Sequence, residues 1–309
     1  VVIRCVVWLF YLLTSFKINT LLKTDFKFQF RISVIKPVLK MSIWITIVNT
    51  VGPIILYSDR FLISTLVSVS AVTFFSTPYE VITKLLLIPS ALVGVLFPAF
   101  SASYQKDSDT SKHLFMRGFK FIFIILFPLV LFFVSFSYEI MNIWLGIKFA
   151  ESSTLVLQFL SFGILFSSLS SIPNNYFQGI GKPQIPAILN LIELPFYLLG
   201  MYLSIKWYNI YGAAFFWMMA AAADALINYI IANKRFHIKI DFKFFYFSLI
   251  LIAVGFLISF VIKILFIKII IILPLILFVL YTGWTFYLTI DEKKFILSLA
   301  KLKLGLSIK

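Results

Sequence analysis

Four polar residues stand in an apolar stretch between Ala71 and Phe100: Thr73, Thr77, Glu80 and Lys84, at spacings of 4, 3 and 4. Those spacings put all four on one face of a helix. Lys84 lies about fourteen residues from the nearer end of that run, roughly 20 Å at 1.5 Å per residue. A charge at such depth in hydrocarbon costs about 2.5–3.5 kcal/mol or more, so this face is not expected to meet lipid. The preceding run carries a matching stripe of Thr46, Asn49, Pro53, Tyr57 and Arg60 at spacings of 3, 4, 4 and 3. Packed together, the two stripes would line a water-filled cavity whose wall is cationic through Arg60 and Lys84 and tempered by Glu80. Asp59 is rotated about 100° from Arg60 on an ideal helix and need not share that cavity. A simpler use of the same residues is also open: an i,i+4 Glu80–Lys84 pair satisfies itself and only holds helices together.

Two further carboxylates lie in apolar surroundings. Glu193 has Asn190 three residues before it and Tyr197 four after; Asp224 follows four alanines and precedes Asn228 by four. Each suits either a hydrogen-bonded contact between helices or a proton or cation site. The run Ala220–Ala223 reads as close helix packing.

The elements that would hold these residues follow from composition. The chain has 309 residues, of which 61% are hydrophobic, well above the 45–50% or so of a soluble domain. Its mean hydropathy is +1.04. Apolar runs of about 20 residues, enough for a helix to cross about 30 Å of hydrocarbon, occur at 1–16, 41–63, 71–99, 118–138, 154–176, 184–204, 211–232, 244–262 and 269–289. They do not alternate as barrel strands do, and a helix pairs each backbone group within its own segment. The expected fold is an all-α polytopic membrane protein with about nine transmembrane helices. The short first run, without a charged leader or cleavage site, reads as the truncated end of a helix.

The net charge of +15 is a matter of topology rather than of nucleic acid. Lysines and arginines gather at 17–40, 101–120, 182, 233–243 and the tail, on one side of an alternating nine-span path. The positive-inside rule then places loop 17–40 and the C-terminus in the cytoplasm, with contact to anionic membrane lipids expected. Cys5 stands alone, so there is no disulfide framework. His113 and His237 sit among loop lysines with no metal-ligand spacing nearby. Neither a metal nor a cofactor is expected. Gly179-Ile180-Gly181-Lys182-Pro183 lacks the spacing of a phosphate loop and reads as a tight turn between spans. Prolines within the runs, Pro53, Pro78, Pro89, Pro98, Pro128, Pro173, Pro195 and Pro274, favour bent helices. The last two runs hold no acidic residue and are expected at the periphery, facing lipid all round.

The stretches YSDRFLISTLVSVSAVTFFSTPYEVITKLLLIPSALVGVLFPAF (57–100) and NNYFQGIGKPQIPAILNLIELPFYL (174–198) resemble bacterial O-antigen and capsule flippases. These are polysaccharide biosynthesis proteins of the multidrug/oligosaccharidyl-lipid/polysaccharide exporter superfamily. The likeness covers about residues 40–235, and the flanks by topology alone. It implies a transporter, not an enzyme, built from two six-helix lobes, with two extra helices at the C-terminus. On that pattern 1–16 is the truncated end of a first-lobe helix, 17–40 a basic cytoplasmic inter-lobe loop and 41–232 the second transmembrane lobe. Residues 233–243 form a cytoplasmic loop, 244–289 a peripheral helix pair and 290–309 a basic cytoplasmic tail.

The resemblance further implies movement of an undecaprenyl-pyrophosphate-linked oligosaccharide, an O-antigen (lipopolysaccharide) or capsule repeat unit, across the bacterial inner membrane. Coupling to H+ or Na+ and contact with other polysaccharide-assembly proteins are part of the same implication. A pyrophosphate needs cations in a low-dielectric cavity, so Arg60 and Lys84 would hold it, with Asn49, Tyr57 and Thr77 beside the sugar. Glu80, Asp59, Glu193 and Asp224 are the ion-coupling candidates. A multidrug exporter of the same superfamily would be expected to line its cavity with carboxylates and aromatics instead. A polysaccharide polymerase or glycosyltransferase would be expected to show a long outer loop or a carboxylate motif at a membrane face. A non-transporting lipid-binding scaffold is the remaining alternative.

Overall fold

The computed structural model describes residues 2–18, 32–238, 247, 250–255, 257, 265–287 and 293. All described secondary structure is helical: α1 Val2–Ile18, α2 Ile32–Leu66, α3 Val69–Ile82, α4 Leu87–Lys106, α5 Ser108–Ser135, α6 Ser137–Leu145, α7 Ile147–Gly179, α8 Gln184–Phe236 and α9 Leu265–Thr282. The chain divides into two compact units, 1–43 and 44–309. The first contains α1 and the opening turns of α2. The second carries every residue discussed below except Lys36 and Lys40.

Five described stretches are long and apolar enough to cross a membrane: Val69–Tyr104, Asp109–Ser135, Ile147–Gly179, Gln184–Phe236 and Leu265–Thr285. The chain is thus an all-α polytopic membrane protein. The expected run 244–262 lies mostly outside the described residues, as does the tail 290–309 apart from Lys293.

Helix α7 is the hub of the second unit, packing against α3, α4, α5, α6 and α8. Its buried positions include Val156, Leu157, Leu160, Ile164, Leu165 and Ile172, on more than one face. A helix that is apolar all round belongs at the centre of a bundle. Two cores form around it. One joins α4, α5, α7, α9 and the second half of α8 through Phe115, Phe123, Phe127, Leu165, Tyr176 and Ile272. The other joins α2, α3, α6, α7 and the middle of α8 through Ile63, Phe75, Ile82, Met141, Leu160 and Trp217.

Three departures from the apolar-run reading have identifiable causes. The run 71–99 is not one helix, because the segment Thr83–Leu86 tightens into a 3-10 turn between α3 and α4. Pro89 stands just after it: proline has no N–H to give the Leu85 carbonyl, and its ring crowds that carbonyl, which disfavours α-helical geometry in the preceding turn. The runs 184–204 and 211–232 belong to α8, which breaks at Asn209 with φ 52 and ψ −139. That ψ lies far from the left-handed helical well as well as from the right-handed one, so Asn209 belongs to neither arm. Beyond the break the chain folds back: the Tyr197 and Phe216 rings lie 5.7 Å apart. Gly212 faces the Ser204 carbonyl so closely that a Cβ would collide with it. The turn therefore requires glycine there.

The third departure concerns the basic loops. Between α4 and α5 only Asp107 is non-helical, so Lys106, Lys112, Arg117 and Lys120 stand on helix ends rather than in a loop 101–120. Asp107 caps α5 by accepting from the Asp109 N–H at 2.9 Å and the Thr110 hydroxyl at 2.6 Å. Those two donors hold its carboxyl below the usual carboxylate range. Helix α2 begins at Ile32, which places Lys36 and Lys40 in a helix as well. The short helix α6, closed by Gly146 at φ 86, has no counterpart among the apolar runs.

Candidate functional site

The two polar stripes occupy faces that the rest of the described chain leaves open. On α3, Ala71, Phe75, Pro78, Tyr79 and Ile82 are buried, while Thr73 and Glu80 are exposed and Thr77 is half-buried. On α2, Ile63 is fully buried and Tyr57 is 57% exposed, with Thr46, Asn49 and Pro53 exposed as well. The spacing of buried and open positions is that of helices packed on one side only.

Where the stripes meet, Arg60 is the central residue. Its guanidinium lies 5.6 Å from the centroid of the Tyr57 ring and 5.4 Å from that of Tyr79, within cation–π range of both. Its Nη2 stands 3.9 Å from Glu80 Oε1, a distance at which an ion pair is loose and a hydrogen bond is not formed. The Glu80 side chain is 68% exposed. Tyr79, which supplies one ring, is itself fixed by an edge contact with Trp217 at 5.6 Å.

Lys84 is exposed and pairs with no group among the described residues. Glu80 turns to Arg60 instead of to Lys84. The 3-10 turn winds at 3.0 residues per turn rather than 3.6, which carries Lys84 further around than an unbroken helix would. The i,i+4 pairing open on the sequence is therefore not formed.

Asp59 lies on another side of α2, as the 100° rotation implies. It is 1% exposed, and its Oδ1 accepts from the Arg60 N–H at 2.8 Å. The Tyr197 hydroxyl is buried without a hydrogen-bond partner among the described residues.

Glu193 and Asp224 stand on the two arms that the fold-back of α8 lays against each other. Asp224 accepts from the Ser170 hydroxyl at 2.5 Å and from Asn228 Nδ2 at 2.6 Å. Asn174 Nδ2 donates to Ser170 Oγ at 3.2 Å. Glu193 Oε1, by contrast, is buried with no hydrogen-bond partner among the described residues. A polar knot thus ties α7 to the second arm of α8 through Ser170, Asn174, Asp224 and Asn228, and Glu193 takes no hydrogen bond within it among the described residues.

Asn49 and Thr77 stand on the open stripes without hydrogen bonds to other described residues. Among the described residues no three His, Cys, Asp or Glu side chains converge as a metal site would require. A charged pair that the sequence reading did not foresee ties α9 to α6: Lys268 Nζ donates to Glu139 Oε1 at 2.8 Å and to Oε2 at 3.1 Å. Helix α9 is consequently not lipid-facing all round. Lys268, Ile272, Val279 and Thr282 form a buried stripe, and the helix packs against α5.

Comparison with known proteins adds to this geometry. Residues 4–154 match the family described as "Polysaccharide biosynthesis protein". The chain is 33% identical over 184 residues, 60% of its length and 44% of the relative's, to a Shigella flexneri protein named "Putative O-antigen transporter". It is also 32% identical over 122 residues, 39% of its length and 24% of the relative's, to an uncharacterized membrane protein of Methanocaldococcus jannaschii. The chain spans less than half the length of each of these curated relatives. The family match contains the whole Arg60–Glu80–Lys84 region, while the stretch 174–198 lies beyond it. The resemblance drawn from the sequence to polysaccharide biosynthesis membrane proteins is thereby borne out.

Proposed function

We propose that this membrane protein of the polysaccharide biosynthesis type moves an undecaprenyl-pyrophosphate-linked oligosaccharide between the leaflets of a bacterial inner membrane, as a transporter and not an enzyme. The observation that carries this reading is the open face shared by α2, α3 and the 3-10 turn. It offers Arg60 with only a loose carboxylate neighbour at 3.9 Å, and Lys84 with none among the described residues. A cation already committed to a short, buried ion pair has little left for a ligand. One held against aromatic rings keeps its five N–H donors available for phosphate oxygens.

In this reading Arg60 grips the pyrophosphate bidentately and Lys84 adds a point charge. Glu80 loosens the grip, so that the lipid can leave on the far side. Tyr57 and Tyr79 hold the guanidinium flat, and Thr77 and Asn49 lie along the path of the sugar. The name of the Shigella flexneri relative supports the substrate class. Arg60 and Lys84 speak against the carboxylate-dominated cavity of a multidrug exporter.

Further features follow the same reading. Asp59, or Glu193 with Asp224, carries the coupling proton or sodium ion. The chain from 41 to 232 acts as one lobe of a two-lobed carrier, with 1–16 belonging to the other lobe and 244–289 outside both. Loop 17–40 and the C-terminus face the cytoplasm.

The test is complementation. In cells lacking their own flippase, the gene carrying Arg60→Ala or Lys84→Ala at unchanged protein level fails to restore the surface polysaccharide that the parent gene restores. Normal restoration by both variants would refute the cationic-face reading.

A further inference from the structure

The same unit contains a groove of about 520 Å³ between α4 and α7, lined by none of the candidate site residues. Its volume falls in the range of small-ligand sites, roughly 300–1,000 Å³. One wall, from α4 and the 3-10 turn, is apolar: Leu86, Pro89, Val93 and Phe97. The facing wall of α7 presents Ser167, Ser171 and Asn175. No lining residue is charged.

The hydrogen bonds on the polar wall define what it can recognise. The Ser171 hydroxyl donates to the Ser168 carbonyl at 2.6 Å, and Asn175 Nδ2 donates to the Ser171 carbonyl at 2.8 Å. Ser90, across the groove, donates to the Leu87 carbonyl at 3.0 Å. Ser171 and Ser90 have thus spent their hydroxyl protons on their own helices and keep oxygen lone pairs for a ligand, while Asn175 keeps its second N–H and its Oδ1. The Ser167 hydroxyl has no hydrogen bond among the described residues. A wall of neutral hydroxyl and amide groups offers acceptors and donors to a neutral polar ligand, and it has no cation to hold a phosphate. An apolar wall opposite suits C–H surface. A pyranose ring has both, with hydroxyl or acylamino donors at its edge and C–H groups on its faces.

We propose that this groove is a carbohydrate subsite, separate from the cationic face and taking the sugar portion of the same lipid. The inference rests on the transport reading above. Chain continuity links the two sites: Leu86, on the groove, closes the 3-10 turn that carries Lys84. Sugar and pyrophosphate would thus be read beside neighbouring turns of one broken helix, with neutral polar groups for the first and cations for the second.

The experiment compares two probes on the purified chain in lipid nanodiscs: undecaprenyl pyrophosphate bearing an oligosaccharide, and undecaprenyl pyrophosphate without sugar. The parent chain is expected to prefer the sugar-bearing lipid by about tenfold. Asn175→Ala with Ser167→Val should abolish that preference while leaving affinity for the sugarless lipid unchanged. Ser90→Leu, which fills the groove from the opposite wall, should do the same and serves if the first variant folds poorly. Retained preference in these variants overturns the subsite. Equal weakening of both lipids also overturns it, because the groove would then hold the polyprenyl chain. Equal binding of both probes by the parent removes the subsite while the transport reading stands. Binding of neither lipid by the parent removes both.

Discussion

Two cation–carboxylate encounters join different helices among the described residues, and they are built in opposite ways. Lys268 meets Glu139 at 2.8 and 3.1 Å with side chains 9% and 18% exposed. Arg60 meets Glu80 at 3.9 Å with side chains 28% and 68% exposed. The first pair joins α9 to α6 and leaves each charge satisfied by the other. The second joins α2 to α3, leaves most of the guanidinium's donors free, and has an unpaired lysine one helical turn away. Buried ion pairs whose partners complete each other are fastenings, and truncating one partner strands the other charge. Exposed, loose pairs contribute little to stability, and on that footing the proposed pyrophosphate site needs no structural role for Arg60 and Lys84.

That contrast can be broken experimentally. The largest effect is expected from Glu139→Ala or Lys268→Ala, each of which strands a buried charge and should lower unfolding stability by about 3–5 kcal/mol. Denaturant titration in detergent measures it. Replacing both partners, Lys268→Met with Glu139→Leu, should recover most of the loss. If the single variants are as stable as the parent, the pair is not a fastening. An intermediate loss, about 1.5–3 kcal/mol, is expected of Ser170→Ala, which removes a hydrogen bond to the Asp224 carboxylate. A loss no greater than that of Arg60→Ala would show that the polar knot of α7 and α8 is as loose as the open face.

The other side of the comparison predicts near silence. Arg60→Ala and Lys84→Ala should each change unfolding stability by less than about 1 kcal/mol. A drop as large as that of Lys268→Ala would make Arg60 structural. The smallest effect belongs to Asp107, which caps α5 outside the membrane spans. Its carboxyl is held below the usual range, so its contribution is present above the ordinary carboxylate pKa and disappears as pH falls through the folded value. Asp107→Ala should melt slightly below the parent at neutral pH and coincide with it in strong acid. A gap that widens in acid would contradict the capping account.

Much of this was legible in the sequence because hydrocarbon imposes a simple rule on composition. The apolar runs mark the positions of α3 with α4, of α5, α7 and α9, and of both arms of α8. The i,i+3 and i,i+4 spacings correctly put Tyr57 with Arg60, and Thr73 with Glu80, on open faces. Less visible was anything that depends on a break in helical phase. The 3-10 turn before Pro89 moves Lys84 away from Glu80, and spacing arguments assume an unbroken helix. Also hidden were contacts between distant segments. Lys268 and Glu139 are 129 residues apart, and Tyr79 shows its use only when α2 brings Arg60 over its ring. Glu193 and Asp224 each looked isolated; the positive φ of Asn209, which folds one arm of α8 onto the other, is what lays their two arms against each other.

The most direct test of the central claim, that the Arg60 and Lys84 face is a pyrophosphate site, is the affinity of the purified chain in nanodiscs for sugarless undecaprenyl pyrophosphate. The parent should bind it at least about tenfold more tightly than Arg60→Gln with Lys84→Gln, with the variant folded as stably as the parent. Equal affinity in a folded variant would contradict the claim.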